Sequence, residues 1–447
     1  MTAALVLAGI VGVAVAVSGG GPGQAPNILL IVTDDQRAGN DTMQVMPKTL
    51  QWFGDGGTEF PNAYATTTAC CPSRASIFSG RYTHNHGVRQ NDLSQNLDHR
   101  RTIQAYLKAN GYLTGIFGKY FNAWNLNRNP PEFDKWGIAT QGYGPPIGLN
   151  EQGIQKSVSQ YMTNYISDQA VNFIQNAETN DSQPWFLDLS PTAPHAPFQP
   201  EAQYASAPTP PYDTRPSYFE TDRSDKSPYI QMRMDDEAGI LDHRIQQLRT
   251  LMSVDDMVDR VFQTLQATGE DSDTIAIFAS DNGYSWGEHG LEAKGEPYLE
   301  SVRIPLFLRW PGRVATGASD TRLVTNLDLP VTALDAAGVA PDLPMDGRSL
   351  LGGSARDHLL LDFYGFNGQH FLRDWAVILT HDYAYIEWFD STPSESSVRF
   401  REYYDLNGDP YQLTNVLSDG NAANDPDTSA LSGTLMQDLT CSGTSCP

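Results

Sequence analysis

The chain has 447 residues, 40% of them hydrophobic, and a formal net charge of −24 from 53 acidic against 29 basic side chains. That length asks for one large domain plus a smaller one, and no low-complexity, repeated or long disordered tract interrupts it. The acidity argues against a nucleic-acid surface, which needs clustered Lys and Arg, and disfavours docking along anionic lipid or a long polyanion; a local cationic pocket can still capture one anionic group.

Residues 3–17 are apolar and run into Ser18-Gly-Gly-Gly-Pro-Gly. The run is too short for a comfortable membrane span but suits a signal-peptide core, with Ala14-Val15-Ala16 and Ala16-Val17-Ser18 as acceptable cleavage sites. No Lys or Arg precedes it, so an uncleaved weak anchor is the alternative to export. The β-branched run at 27–33 predicts a buried strand, and Asp34-Asp35 follows it at once. Further strands are expected at 114–117, ahead of Gly118-Lys119, and at 185–189, ahead of Pro194-His195-Ala196-Pro197. Helical periodicity covers 157–176 and 241–266, and the Pro-, Ser- and Tyr-rich stretch 196–228 reads as a surface excursion that can wall a cleft. A strand at 274–280 again ends in a polar pair, Asp281-Asn282, and 304–309 gives another strand. Alternating strands and helices predict an α/β sheet covered on both faces, with ligands beyond the carboxyl ends of its strands. Past residue 355 the pattern changes to short antiparallel strands at 375–379, 383–387 and 402–405 and a final helix near 430–439. The expected organisation is therefore signal peptide and linker at 1–24, a catalytic domain at 25–355 and an antiparallel subdomain with tail at 356–447.

Each acidic pair alone is weak: Asp34-Asp35 reads as a helix cap and Asp281-Asn282-Gly283 as a turn. Together they offer three carboxylates and one amide oxygen, a set suited to Ca²⁺ or Mg²⁺, whereas zinc would want His and Cys ligands. The run Cys70-Cys-Pro-Ser-Arg74 followed by Ser79-Gly80-Arg81 predicts a helix with Pro72 in its first turn and Gly80 ending it. Such an N-terminus aims free N–H groups at an anion, and Arg74, one turn on from Cys70, adds a cationic fork. Adjacent Cys70 and Cys71 are poorly placed to pair with each other, while Cys441 and Cys446 in the polar tail can close a small loop in an oxidising compartment.

Cys70-x-Pro-Ser-Arg with Ser79-Gly80-Arg81 resembles the signature of the type I sulfatases of the alkaline phosphatase superfamily, with Ser79 where that family usually has Thr. The segment 27–35, Ser280-Asp-Asn-Gly-Tyr284, Gly287-Glu-His-Gly-Leu291 and Arg303-Ile-Pro-Leu306 follow in sulfatase order. His84-Asn-His86, Gly118-Lys-Tyr120 and Asp409-Pro-Tyr-Gln-Leu413 are similar to the N-acetylglucosamine-6-sulfatase and heparan-type branch.

The resemblance implies an alkaline-phosphatase-like fold, a large, mixed, mostly parallel sheet between helices with a smaller C-terminal antiparallel sheet and helix. It implies that Cys70 is oxidised to formylglycine by a formylglycine-generating enzyme, and that the aldehyde hydrate is the nucleophile. Asp34, Asp35, Asp281 and Asn282, with residue 70, are the implied ligands of Ca²⁺ or Mg²⁺. Arg74, Lys119 and Lys294 are implied to bind sulfate or nucleophile, and His195 to be the general acid, although lone lysines and proline-loop histidines are often structural. Cys71 is implied to be a bystander, and His289 either orders the metal loop or packs. Many sulfatases have a His where this chain has Phe121; Asn122 follows, and His86, or no residue, serves as base. The expected activity is hydrolysis of a sulfated sugar or other sulfate monoester, with 6-sulfated glucosamine as the candidate unit, by a secreted protein with no nucleic-acid partner and no stable membrane insertion. A formylglycine-dependent phosphonate or phosphate ester hydrolase is the first alternative, and a non-catalytic binder of sulfated glycans the second.

Overall fold

The first strand, β1 (Asn27–Thr33), is buried at every position, as a strand covered on both faces must be. Its side chains alternate: Leu29 and Ile31 enter one apolar cluster, and Ile28, Leu30 and Val32 enter another on the opposite face. This is a computed structural model, and it describes residues 25–139, 142–179, 183–353, 355–365 and 373–447. The segment read as a signal peptide lies outside the described residues.

After β1 come β2 (Thr58–Glu59), helix α1 (Cys70–Ser79) and helix α2 (Ile103–Ala109). Next are β3 (Leu113–Lys119), β4 (Lys135–Ala139) and a hairpin of β5 (Ile147–Glu151) and β6 (Ile154–Val158). Helix α3 (Met162–Glu178), β7 (Trp185–Ser190), helix α4 (Glu237–Thr268) and β8 (Thr274–Ser280) follow. The layer closes with β9 (Leu306–Arg309), β10 (Ala318–Ser319) and helix α5 (Asp328–Ala337). The ten strands form one sheet in the order β10-β2-β9-β8-β1-β7-β3-β4-β5-β6. Its centre, β8-β1-β7-β3-β4, is parallel throughout, while β9 on one flank and β5 on the other run antiparallel to it, and β6 pairs antiparallel with β5. Helices α3 and α4 pack on one face, and α1, α2 and α5 on the other, giving the expected α/β sandwich.

The helix expected from residue 157 starts instead at Met162, because Ser157 and Val158 belong to the β5–β6 hairpin. Its turn uses Gln152 and Gly153 at positive φ, and the apolar residues at 158, 161 and 162 carry a helical rhythm across that break. A second sheet, β11 (Leu359–Phe363), β12 (Trp375–Leu379), β13 (Tyr383–Phe389) and β14 (Val398–Asp405), is an antiparallel meander. Side chains of helix α6 (Thr428–Asp438) join the apolar cluster on one of its faces. The other face packs against Tyr64, Ala69, Leu291 and Tyr298 of the large layer. Cys441 and Cys446 are disulfide-bonded beyond α6.

Because the central strands are parallel, β1, β3, β7 and β8 release their following residues at one edge. Gly118, next to last in β3, has φ of +113°, and a Cβ there would lie 2.1 Å from the Ser190 carbonyl oxygen on β7. Substituting Gly118→Ala must therefore displace the strand ends that carry Lys119 and Ser190. We expect it to cost at least about 2 kcal/mol in urea unfolding; an unchanged midpoint would show that the two strand ends are not held in this contact.

Candidate active site

The register that pairs Thr33 with Ser280 brings the two polar pairs side by side. Asp281 N–H donates to the Thr33 carbonyl (3.1 Å), and Asp35 N–H, from a residue at φ +69°, donates to Asp281 Oδ1 (3.1 Å). Asn282 Nδ2 donates to Asp35 Oδ1 at 2.8 Å. Asp34, Asp35, Asp281 and Asn282 are all buried. Helix α1 points its first turn at this group: Ala69, its N-cap residue, makes no side-chain capping bond, and Ser73 Oγ donates to the Asp281 carbonyl. Cys70 Sγ, which marks the position of the side chain of residue 70, lies 3.5 Å from Asp34 Oδ1 and accepts from Lys294 Nζ at 2.9 Å.

The three predicted cations converge on the same carboxylates. Lys119, ending β3, pairs with Asp34 Oδ2, and Lys294 pairs with Asp35 and also reaches Asn282 Oδ1 at 3.1 Å. Arg74 lies behind the cluster rather than in its mouth. Its Nε donates to Asp281 Oδ2 (2.9 Å), and Nη1 donates to the Lys119 carbonyl (3.1 Å) and to Ser190 Oγ (3.2 Å). His195 Nε2 is 3.8 Å from Asp35 Oδ2, while Nδ1 meets the Ala196 carbonyl at 2.8 Å. The His195 and Lys294 side chains keep 19% and 16% of their surface exposed against 0–4% for Asp34, Asp35 and Lys119, so the cluster opens on their side.

Electrostatics follow from this crowding. Burial raises the Asp34 carboxyl, but the charges of Lys119 and His195 outweigh it and hold the pKa at about 2. Burial likewise raises Asp35, and Lys294 and His195 reverse that to leave it below the usual carboxylate range. Asp281 goes upward, through burial and then its neighbour Asp34. Burial alone would lower His195, yet Asp34 and Asp35 lift it to about 9.

One ligand atom each from Asp34, Asp35, Cys70 and His195 lies within 4.8 Å of the others, and Asp281 and Asn282 are bonded to Asp35. Three carboxylates and an amide oxygen in a closed pocket fit a hard divalent cation. The carboxylate and amide oxygens are the donors such a hard cation prefers.

Other residues singled out in the sequence have separate duties. Cys71 Sγ faces Asn122, accepting from its N–H at 3.1 Å. The His86 ring is engaged by Ser76 Oγ (3.1 Å) and Val88 N–H (3.0 Å), and burial pushes its pKa down to about 3. His289 pairs with Glu220 at 2.6 Å and packs on Tyr298. Phe121 is fully buried against Phe78 and Tyr120, so the position holds part of the core. The 196–228 excursion covers the loop after β8: Tyr212 bonds Glu288, and Phe219 N–H donates to the Gly287 carbonyl. Three residues to which the sequence reading gave no role also bond here: Ser73 donates to the Asp281 carbonyl, Ser190 accepts from Arg74, and Asp188 accepts from Ser190.

Residues 26–339, more than half of the chain, match the family model described as Sulfatase. The chain belongs to the sulfatase family. Residues 287–438 also match the model described as N-sulphoglucosamine sulphohydrolase, C-terminal. Among curated relatives, an extracellular sulfatase homologue of Drosophila melanogaster is 35% identical over 353 residues, 73% of this chain and 31% of that protein. Human N-acetylglucosamine-6-sulfatase is 32% identical over 378 residues, 78% of this chain and 67% of its own. The chain spans about half or less of the extracellular sulfatases it matches, 31% of the Drosophila protein and 48% of the Caenorhabditis elegans one. Of solved structures, one titled as a complex with its substrate D-glucosamine-2-N,6-O-disulfate superposes with a TM-score of 0.76 at 23% identity, covering 92% of this chain and 97% of that one. The phosphonate monoester hydrolase of Agrobacterium radiobacter gives 0.67 at 20% identity, covering 93% and 94%. At these identities the two structures establish the shared fold, which confirms the expected alkaline-phosphatase-like architecture. No helix among the described residues is long and apolar enough to cross a membrane.

Burial pushes the Cys71 thiol up to about 12, and only a thiolate alkylates readily. Cys71 should therefore resist iodoacetamide at pH 8 in the folded protein and react at once in denaturant, as followed by peptide mass spectrometry. Fast labelling of the folded protein would contradict its placement.

Proposed function

We propose that this chain hydrolyses sulfate monoesters of sugars, with residue 70 as nucleophile beside a divalent cation held by Asp34, Asp35, Asp281 and Asn282. The observation that carries this reading is the contact of the residue 70 side chain with Asp34 and Lys294 inside the set of four oxygen donors. Ca²⁺ is the preferred ion for an all-oxygen set, with Mg²⁺ as the alternative. When bound, it supplies Lewis acidity to a sulfate oxygen and to the nucleophile. In its formylglycine form, residue 70 would supply a hydrated aldehyde as the nucleophile, with a second hydroxyl through which the aldehyde could be recovered.

The protein's own residues do the rest. Lys294, bonded to the residue 70 side chain, steadies the nucleophile and, with Lys119, offsets charge on the sulfate oxygens as it grows. Arg74 holds Asp281 and the Lys119 backbone in place. His195 keeps Nδ1 on the Ala196 carbonyl, leaving the Nε2 proton for the departing alcohol oxygen. Burial of Asp34, Asp35 and Cys70 excludes water from the reacting side.

Relatives named for N-acetylglucosamine-6-sulfatase activity support a sulfated glucosamine unit as substrate. The net charge of −24 favours a small fragment or a chain end, since a long sulfated polymer is repelled outside the pocket. All site residues fall in 34–294, consistent with a catalytic unit at 25–355 and a wall contributed by 356–447. Extracellular relatives support secretion, with maturation by a formylglycine-generating enzyme before or during export.

Four measurements test the reading. Cys70→Ala and Asp34→Ala should each lower kcat/KM for a sulfate monoester by at least about 10³-fold, and the peptide containing residue 70 should be lighter than its thiol form. His195→Ala should lower kcat, and most for esters of the least acidic alcohols, as loss of a general acid requires. Faster turnover of a phosphate than of a sulfate ester of the same phenol would favour a phosphohydrolase, and a purely thiol peptide with no turnover would favour a glycan binder.

A further inference from the structure

A buried carboxylate sits behind the proposed metal site with no role in the chemistry above. Asp188 lies mid-strand in β7, beside Leu30 of β1 and Ile116 of β3, in the most apolar part of the sheet. Its neighbour two residues back, Phe186, joins the cluster on the α1 face, so Asp188 points to that face too. It is 1% exposed, and burial pushes its carboxyl up to about 6 against the opposing pull of the Ser190 hydroxyl and Arg74. An apolar side chain there would be cheaper for stability, so the carboxylate needs another explanation.

Its hydrogen bonds supply one. Ser190 Oγ donates to Asp188 Oδ1 at 2.6 Å and accepts from Arg74 Nη1 at 3.2 Å. A hydroxyl has one proton, so giving it to Asp188 turns its lone pairs toward the guanidinium. The fork of Arg74 is then fixed at Nη1, with Nε on Asp281 Oδ2 at 2.9 Å. Arg74 Nη2 has no hydrogen-bond partner among the described residues, so Nη1 and Nε are the anchors that set the orientation of the planar group.

We propose that Asp188 and Ser190 are positioning residues that orient Arg74, and through it the Asp281 carboxylate, for divalent-cation binding. This rests on the reading of Asp281 as a metal ligand. Partners that hydrogen-bond a ligand directly typically change metal affinity by about 10–100-fold when lost; Arg74 is such a partner of Asp281, and Ser190 and Asp188 stand one and two hydrogen bonds behind it.

The test uses the full chain stripped with EDTA and titrated calorimetrically with CaCl₂ alone, for wild type, Ser190→Ala, Asp188→Asn and the double variant. The melting temperature without metal is recorded for each. We expect both single variants to bind Ca²⁺ more weakly, by up to about 10-fold, the low end of the loss seen for direct partners of a ligand, and the double variant to be no weaker than the worse single one, because both break one relay. A Ca²⁺ affinity like that of wild type in Ser190→Ala, whatever happens to the metal-free melting temperature, would overturn the relay and leave Asp188 a packing residue. Should Asp188→Asn fail to fold, Ser190→Ala decides alone. If wild type itself binds neither Ca²⁺ nor Mg²⁺, the metal site falls first, and the relay with it.

Discussion

Mutual repulsion among Asp34, Asp35 and Asp281 is the constraint around which the rest of the site is arranged. Two neighbouring parallel strands end in these acids, and the backbone ties them together through the Asp35 N–H on Asp281. Buried like charges at this range are strongly unfavourable unless cations meet them. Arg74, Lys119 and Lys294 do so, each delivered by a different element: the first turns of α1, the end of β3 and the loop after β8. On the proposed function, a site so balanced would take a divalent ion by exchanging lysine contacts for metal contacts, leaving the lysines for an anionic substrate.

The fold serves that arrangement by geometry. Parallel pairing of β8, β1, β7 and β3 sends all their following residues to one edge, where separate loops meet without long excursions. Gly118 permits β3 and β7 to approach closely enough for Arg74 to bridge Lys119 and Ser190. The antiparallel C-terminal sheet contributes from the side: Trp375 Nε1 donates to the Gly295 carbonyl at 2.7 Å, next to Lys294. Packing of that sheet therefore bears on the catalytic loop, although its own strands carry none of the acidic donors.

Much of this was legible in the sequence because the signals are local. A β-branched run ending in Asp-Asp, a second ending in Asp-Asn, and Cys-x-Pro-Ser-Arg at a helix start each announce themselves within a dozen residues. The order of these blocks gave the family, and the family gave the sheet. What stayed hidden depends on distant pairing. Asp188 reads as a polar flaw in an apolar strand until Ser190 and Arg74 are seen beside it, and the hairpin before α3 is disguised by apolar residues at helical spacing. The place of Arg74 behind the donors, rather than in front of them, likewise shows only in its bonds to the distant Asp281, Lys119 and Ser190 and in no local pattern. His86 and Phe121 show the converse: residues whose neighbours in the chain suggested chemistry are occupied by packing.

An experimental structure of the Ca²⁺-loaded protein, with residue 70 in its matured form, would test the central claim most directly. The account predicts one ion about 2.3–2.6 Å from oxygens of Asp34, Asp35, Asp281 and Asn282, with the side chain of residue 70 against it and Lys294 displaced from Asp35. An ion bound by another set of ligands, or Lys294 still seated between Asp35 and Asn282 at saturating Ca²⁺, would contradict it.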